Sequence, residues 1–314
     1  MKFRPIYKTK LGKAYAADSL ELMSSLPTGS VDLVLTSPPY ALHFKKEYGN
    51  ADQGKYIEWF LPFAREVARI LRPSGSFVLN IGGSWTPGVP VRSLYPFRLL
   101  LALCDEVRFN LCQEFFWYNP AKMPAPAEWV NVRRVRVKDS VEYIFWLSMS
   151  DSPKANNSRV LQEYSPDMRR LIKRGVKETR RPSGHNIKET FSQDNGGAIP
   201  GNLIQCGNNE SNSFYIKECK RLGKQIHPAR FPAELPRFFT KLLTDPGDLI
   251  LDPFAGSNTT GAVAEELGRS WISVEMNASY AADSELRFRA PRIDEGMAAV
   301  AGQKTLFELP GRAG

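Results

Sequence analysis

Residues 247–275 constrain this chain more than any other stretch. An apolar run, Leu249-Ile250-Leu251, ends in Asp252. A tight turn over Pro253, Phe254, Ala255, Gly256, Ser257 and Asn258 leads into a helix-like segment from Thr259 to Leu267, and a second β-prone run, Trp271 to Val274, ends in Glu275. Strand, glycine turn, helix and strand in that order build a nucleotide-type site in an α/β fold. The glycine lets backbone approach a ligand, and the helix start offers free N–H groups. An acid at the next strand end, 23 residues after Asp252, suits a ribose diol. The G-x-G-x-x-G dinucleotide fingerprint is absent. A P-loop would need Lys and Ser/Thr after the second glycine, where Ala262 and Val263 stand. A plain βαβ turn without a ligand is the bland alternative.

A second strand end supports the first. Val31 to Thr36 is β-prone and stops at Ser37-Pro38-Pro39-Tyr40. Two prolines cannot donate ladder hydrogen bonds, so the strand ends in a rigid turn that projects Ser37 and Tyr40 from its C-terminal end. In an open parallel sheet that end is where ligands bind. Further expected elements are a short strand end from residue 13, a helix after an Asp18-Ser19 cap, a helix over 56–71, a turn at 72–75, a buried strand over 76–81 and a helix over 93–104. A hairpin of 115–118 with 141–147 follows, and then helix-like sequence over 226–244. From about 150 to 215 apolar runs thin out, and residues 291–314 read as a tail. The expected division is 1–150 as one half of an α/β domain, 151–215 as a loop-rich insert and 216–290 as the other half.

The chain of 314 residues carries a formal charge of +9 and is 42% apolar, enough for a real core. Excess positive charge points to a polyanionic partner, nucleic acid first. No apolar run spans a membrane, and the N-terminus lacks the apolar core of a signal peptide. Four dispersed cysteines and three unclustered histidines give no metal-binding spacing, so no metal is expected; the cysteines read as reduced cytoplasmic thiols, with Cys104 and Cys112 in the core.

Ser37-Pro-Pro-Tyr40 together with Asp252-Pro-Phe-Ala-Gly256 resembles the amino-methyltransferases of DNA, whose catalytic tetrapeptide is [D/N/S]-P-P-[Y/F/W] and whose donor is S-adenosylmethionine (AdoMet). The catalytic turn lies about 215 residues before the AdoMet turn, the order of that family's permuted β class. His227-Pro-Ala-Arg-Phe-Pro232, Asn119-Pro-Ala-Lys122 and Arg181-Pro-Ser-Gly-His185 match as well, most like the PvuII-type cytosine-N4 enzymes. One departure is Asn258 where the family's turn has a second glycine; Asn tolerates left-handed backbone better than most residues.

The resemblance implies a Rossmann-like α/β fold, a mostly parallel seven-stranded sheet with helices on both faces and a small target-recognition insert. It implies AdoMet-dependent methylation of cytosine N4 in double-stranded DNA with base flipping, as the modification partner of a restriction endonuclease. An adenine-N6 enzyme, or a DNA-binding regulator without activity, is the alternative. Catalysis would fall to Ser37, Pro38, Pro39 and Tyr40. The cofactor would be held by Asp18, Asp252, Phe254, Ala255, Gly256, Ser257, Asn258, Thr259, Thr260, Glu275, His227, Phe231 and Pro232. Cytosine C5 chemistry would need a cysteine after proline, and none is present.

An exocyclic amino group is a poor nucleophile because its lone pair is delocalised. Accepting hydrogen bonds from its N–H groups, through the Ser37 hydroxyl and the Pro38 carbonyl, would free that pair. Ser37 alone is too weak a base to take the proton, so direct attack with later proton loss to water is expected. Tyr40 would stack on the flipped base.

Residues 121–190 hold 15 Lys and Arg against 8 Asp and Glu. Lys45, Lys46, Arg133, Arg134, Arg136 and Lys138 are expected on phosphates, and Arg181, His185 and Asn195 on bases. A solvated basic surface is the plain alternative. The protein is expected to act as a monomer.

Overall fold

The computed structural model describes residues 3–41, 53–176, 179–180, 186–187, 189–208, 213–228 and 230–289. Lys45, Lys46, Arg181, His185 and the tail from 290 lie outside the described residues.

The strands are β1 (Tyr7–Lys8), β2 (Gly12–Ala16), β3 (Val31–Thr36), β4 (Leu71–Ile81), β5 (Asn110–Tyr118), β6 (Val141–Ser148), β7 (Thr179–Arg180), β8 (Asn186–Ile187), β9 (Leu203–Gln205), β10 (Leu249–Asp252) and β11 (Ser270–Glu275). The main sheet runs β1-β2-β11-β10-β3-β4-β6-β5-β9, nine strands rather than the expected seven. The seven central strands are the ones expected; β1 and β9 are short edge strands of two and three residues, too short to show a hydrophobic period. β9 comes from the 151–215 segment, which is therefore joined to the main sheet through β5 rather than standing apart. All pairs from β2 across to β4 are parallel, and β6 alone among the central seven is reversed.

Alternation along the strands builds two cores. Val34, Phe77, Leu79, Phe145, Leu251 and Val274 face α1 (Ser19–Ser24), α2 (Tyr56–Ile70) and α3 (Tyr95–Asp105). Leu33, Leu35, Val78, Ile144, Ile250 and Trp271 face α6 (Glu234–Leu243) and α7 (Thr259–Glu266). With both faces covered, the central strands read as continuous apolar runs. The expected turn at 72–75 lies inside β4. Pro73 cannot donate, and the register to β3 jumps from Val31↔Leu71 to Leu33↔Ser76. Within the insert, α4 (Pro166–Arg174) is capped by Ser165, whose hydroxyl accepts from Met168 N at 3.1 Å. Two short helices, α5 (Phe214–Arg221) and α8 (Ala278–Asp283), complete the chain order.

Cys104 is half-buried and packs against the first core, Cys112 is half-buried without joining either core, and the fully buried thiol is Cys219. Among the described residues no helix is long and apolar enough to cross a membrane.

This topology brings distant residues to one edge. β2 ends at Ala16, opposite Glu275 of β11. β3 ends at Thr36, opposite Leu79 of β4. β10 ends at Asp252, and reversed β6 begins at the same edge with Val141 opposite Tyr118.

Candidate active site

A cavity of about 670 Å³ opens along that edge, a size suited to a small organic ligand. Its walls include Ser37, Pro38, Pro39 and Tyr40 from the end of β3, and Phe254, Ala255, Gly256, Ser257 and Thr259 from the turn after β10. Asp18, Glu275, His227 and Phe231 line it too, so both sequence motifs share one chamber.

The turn after β10 is held from beneath. Asp252 is buried; its Oδ1 accepts from Thr36 Oγ1 at 2.6 Å and Phe254 N at 3.1 Å, and its Oδ2 accepts from Thr260 Oγ1 at 2.7 Å. This fastens the ends of β10 and β3 together. Asn258 has φ 57° and ψ 45°, the left-handed conformation a second glycine would favour. Its Oδ1 accepts from Gly261 N at 3.0 Å and Ser273 Oγ at 2.6 Å, and its Nδ2 donates to Tyr7 Oη at 2.8 Å. Asp252, Asn258, Thr260 and Pro232 thus stand behind the wall and do not line the cavity. Sequence spacing does not separate residues that shape a turn from residues that touch what it holds.

Burial raises the Asp252 carboxyl from 3.8 to about 6, against the lowering effect of its three hydrogen-bond donors. The native state therefore holds this proton more tightly than the open chain. The stabilisation is present in full below pH 3.8 and is lost as pH rises through about 6. At neutral pH the ionised group opposes folding by about 3 kcal/mol. Denaturant unfolding across pH 4 to 7 will show this loss in the wild type, and Asp252→Asn will flatten it.

Glu275 meets the turn from the other side. Its Oε2 accepts from Gly256 N at 2.9 Å and its Oε1 from Asn277 N at 2.9 Å, and burial raises its pKa. The Met276 N–H also bonds this carboxylate, which leaves it capacity for about one more donor such as a ligand hydroxyl. Asp18 caps α1, accepting from Leu20 N at 2.8 Å and Glu21 N at 3.2 Å, while facing the cavity. Helix capping and ligand contact, the two readings of this acid, are compatible. Phe254 closes the floor with Trp59 and Phe63, ring centroids 5.9 and 5.1 Å away. The His227 ring packs edge-on to Tyr280 at 4.6 Å, beside Gly256. An acid pair, a glycine turn and an aromatic floor fit a nucleoside-bearing cofactor.

The Ser37–Tyr40 turn is equally fixed. The Pro39 carbonyl accepts from Tyr56 Oη at 2.9 Å. The Tyr40 ring lies against Gly82, where a Cβ would come within 2.3 Å of it. Ser37 Oγ and Tyr40 Oη are 3.1 Å apart, and Tyr40 Oη donates towards Asn80 Oδ1 at 3.0 Å and Glu142 Oε2 at 2.7 Å. Glu142 Oε1 accepts from Lys122 Nζ at 2.8 Å. Burial and the Glu142 charge hold the Tyr40 hydroxyl well above its usual pKa, so it stays protonated.

Sequence reasoning missed Trp59, Phe63, Asn80, Trp117, Glu142 and Arg230, all on the cavity wall. Asn80 and Glu142 were the findable pair: each is a polar residue interrupting an apolar run, Phe77 to Ile81 and Val141 to Leu147, near the end that carries the site.

The basic residues divide. Arg133 and Arg134 are exposed. Arg136 stacks on Trp85, its guanidinium carbon 3.9 Å from the ring centroid, and donates to the Pro90 carbonyl at 3.2 Å. Lys138 donates to the Pro120 and Lys122 carbonyls at 3.1 and 3.3 Å. Arg136 and Lys138 thus brace the β5–β6 connection. Asn195 is exposed, with its amide donating to the Gln193 carbonyl at 3.3 Å.

Sheet order, paired motifs and shared chamber define a methyltransferase-type site, and the chain belongs to the DNA methylase family, whose profile matches residues 31–286. It is 51% identical over 295 residues to the type II methyltransferase M.PvuII of Proteus hauseri, covering 93% of this chain and 88% of that protein. M.BamHI of Bacillus amyloliquefaciens is 27% identical over 282 residues, 88% of this chain and 57% of that one. Among solved structures, the cytosine-N4-specific PvuII DNA methyltransferase superposes with a TM-score of 0.75 at 45% identity, covering 94% of this chain and 91% of that one. A Thermus thermophilus DNA modification methylase complexed with AdoMet shares the fold, with a TM-score of 0.54 at 22% identity over 88% of this chain and 92% of that one.

Proposed function

We propose that this protein transfers the methyl group of AdoMet to the exocyclic N4 of cytosine in duplex DNA. The observation that carries the reading is the single chamber in which Ser37-Pro38-Pro39-Tyr40 faces the Phe254–Thr259 turn with Asp18 and Glu275. AdoMet supplies an electrophilic methyl on a sulfonium. In this reading Glu275 accepts from the ribose hydroxyls, Asp18 faces the adenine, and the turn with Phe254 takes the methionine end. Ser37 and the Pro38 carbonyl accept from the amino group of a flipped cytosine, and Tyr40 flanks its ring. The two prolines hold the acceptors in place before the substrate arrives. Half the chain's identity with a cytosine-N4 type II enzyme favours cytosine over adenine. The intact Ser37 and Tyr40 speak against a silent regulator.

The finer reading is of a monomer in the bacterial cytoplasm, paired with a restriction endonuclease. Residues 151–215 would recognise the target, and exposed Arg133 and Arg134 would meet phosphates. Fitting that, log affinity for DNA will fall steeply with log salt in a filter-binding series, and a flat response overturns the phosphate contacts.

The test of function is nucleoside mass spectrometry after incubation with unmethylated DNA and deuterium-labelled AdoMet. Labelled N4-methylcytosine is the expected product. Labelled N6-methyladenine, or no label, overturns the cytosine reading.

A further inference from the structure

The amino group that accepts a methyl must also lose a proton. From Ser37 the hydrogen bonds lead inward: Ser37 Oγ to Tyr40 Oη at 3.1 Å, then Tyr40 Oη to Glu142 Oε2 at 2.7 Å. The other end of that carboxylate is fixed by Lys122, a residue of the Asn119-Pro-Ala-Lys122 stretch whose purpose the sequence does not disclose. All of Ser37, Tyr40 and Glu142 border the cavity, and the Glu142 side chain is only 14% exposed.

Counting hydrogens gives the chain a direction. The Asn80 amide donates to the Tyr143 carbonyl at 3.2 Å, which turns its Oδ1 towards Tyr40. Tyr40 therefore faces two pure acceptors, Asn80 Oδ1 and Glu142 Oε2, with one hydrogen to give. Whichever takes it, that hydrogen points away from Ser37. Ser37 then donates to Tyr40 and keeps its own lone pairs for the cavity.

We propose that Ser37, Tyr40 and Glu142 form a proton relay, and that Glu142 is the base that receives the proton released from the methylated amino group. This rests on the methyl-transfer reading above. The N4–carbon bond forms as the carbon–sulfur bond breaks, with its electron pair left on sulfur. As that bond forms, the surplus proton on N4 moves to Ser37 Oγ, the Ser37 hydrogen to Tyr40 Oη, and the Tyr40 hydrogen to Glu142 Oε2. Both hydroxyls end as they began, and Glu142 ends neutral and later gives its proton to water. Loss straight to water, the expectation from sequence, lacked this acceptor.

The test is Glu142→Gln in the full-length protein. Glutamine keeps the size, still accepts from Lys122 through its oxygen, and leaves Asn80 to take the Tyr40 hydrogen; only the base is gone. Single-turnover N4 methylation is expected to slow about 10²-fold with AdoMet affinity unchanged. A solvent deuterium isotope effect seen in the wild type will change in the variant. In the cofactor-free protein, an infrared carboxylate band absent from Glu142→Gln will shift in Tyr40→Phe, a readout independent of turnover. A variant rate within twofold of an active wild type overturns the relay alone, as does a band unmoved by Tyr40→Phe. A wild type that makes no N4-methylcytosine overturns the function reading instead.

Discussion

Replacing Ser37 with alanine will lower the single-turnover methylation rate by about 10²- to 10³-fold and leave AdoMet affinity unchanged. On the proposed function the Ser37 hydroxyl is the acceptor for the substrate's amino group, and an acceptor lost where charge develops is as damaging as a lost donor. The fold will not notice, because Tyr40 keeps its contacts to Asn80 and Glu142, and the neighbouring Pro39 keeps its bond from Tyr56. Quench-flow with labelled donor gives the rate, and calorimetry the affinity. Equal loss of both would mean that Ser37 shapes the chamber rather than serving the reaction.

Gly256→Val is expected to strike the other function. Gly256 sits at φ +51°, where a β-branched residue is strained, and a Cβ there would come within 2.9 Å of His227 Cε1. The imidazole cannot easily retreat, being packed on Tyr280. The turn must shift, and with it the Gly256 N–H that holds Glu275. Strain of about 2–3 kcal/mol is read as a lower melting temperature, and the displaced turn as weaker AdoMet binding by calorimetry. Gly256→Ala will fall between valine and the wild type.

The parts of the site that were legible in the sequence are those where a strand breaks. Two prolines at 38 and 39 and a glycine at 256 interrupt apolar runs, and backbone chemistry fixes what happens there whatever the tertiary context. The motif residues Ser37 and Glu275 consequently fell into one chamber as expected. Glu142, Asn80 and Trp117 lie within strands rather than at breaks, and their orientation depends on partners far away in the chain: Glu142 faces the cavity because β6 is reversed against β4. The edge strands β1 and β9 escaped notice for a related reason. Two or three residues carry no period, and their pairing is settled by the strand already beside them. Local charge does not reveal which basic side chains also have partners within the fold: Arg136 stacks on a tryptophan face and Lys138 donates to backbone carbonyls.

The sheet's order has a consequence for how the protein is made. β2 and β3 leave the ribosome within the first 36 residues, yet their partners β11 and β10 arrive only after residue 248. Leu33 waits for Ile250, and Ala16 for Glu275. Through most of translation the nascent chain therefore exposes strand edges that only its own last third can close, and closure over such separations is intrinsically slow. A message cut short before residue 249 would not yield a catalytic half-domain. It would release open apolar edges that pair with whatever strand is nearest, including those of another nascent copy.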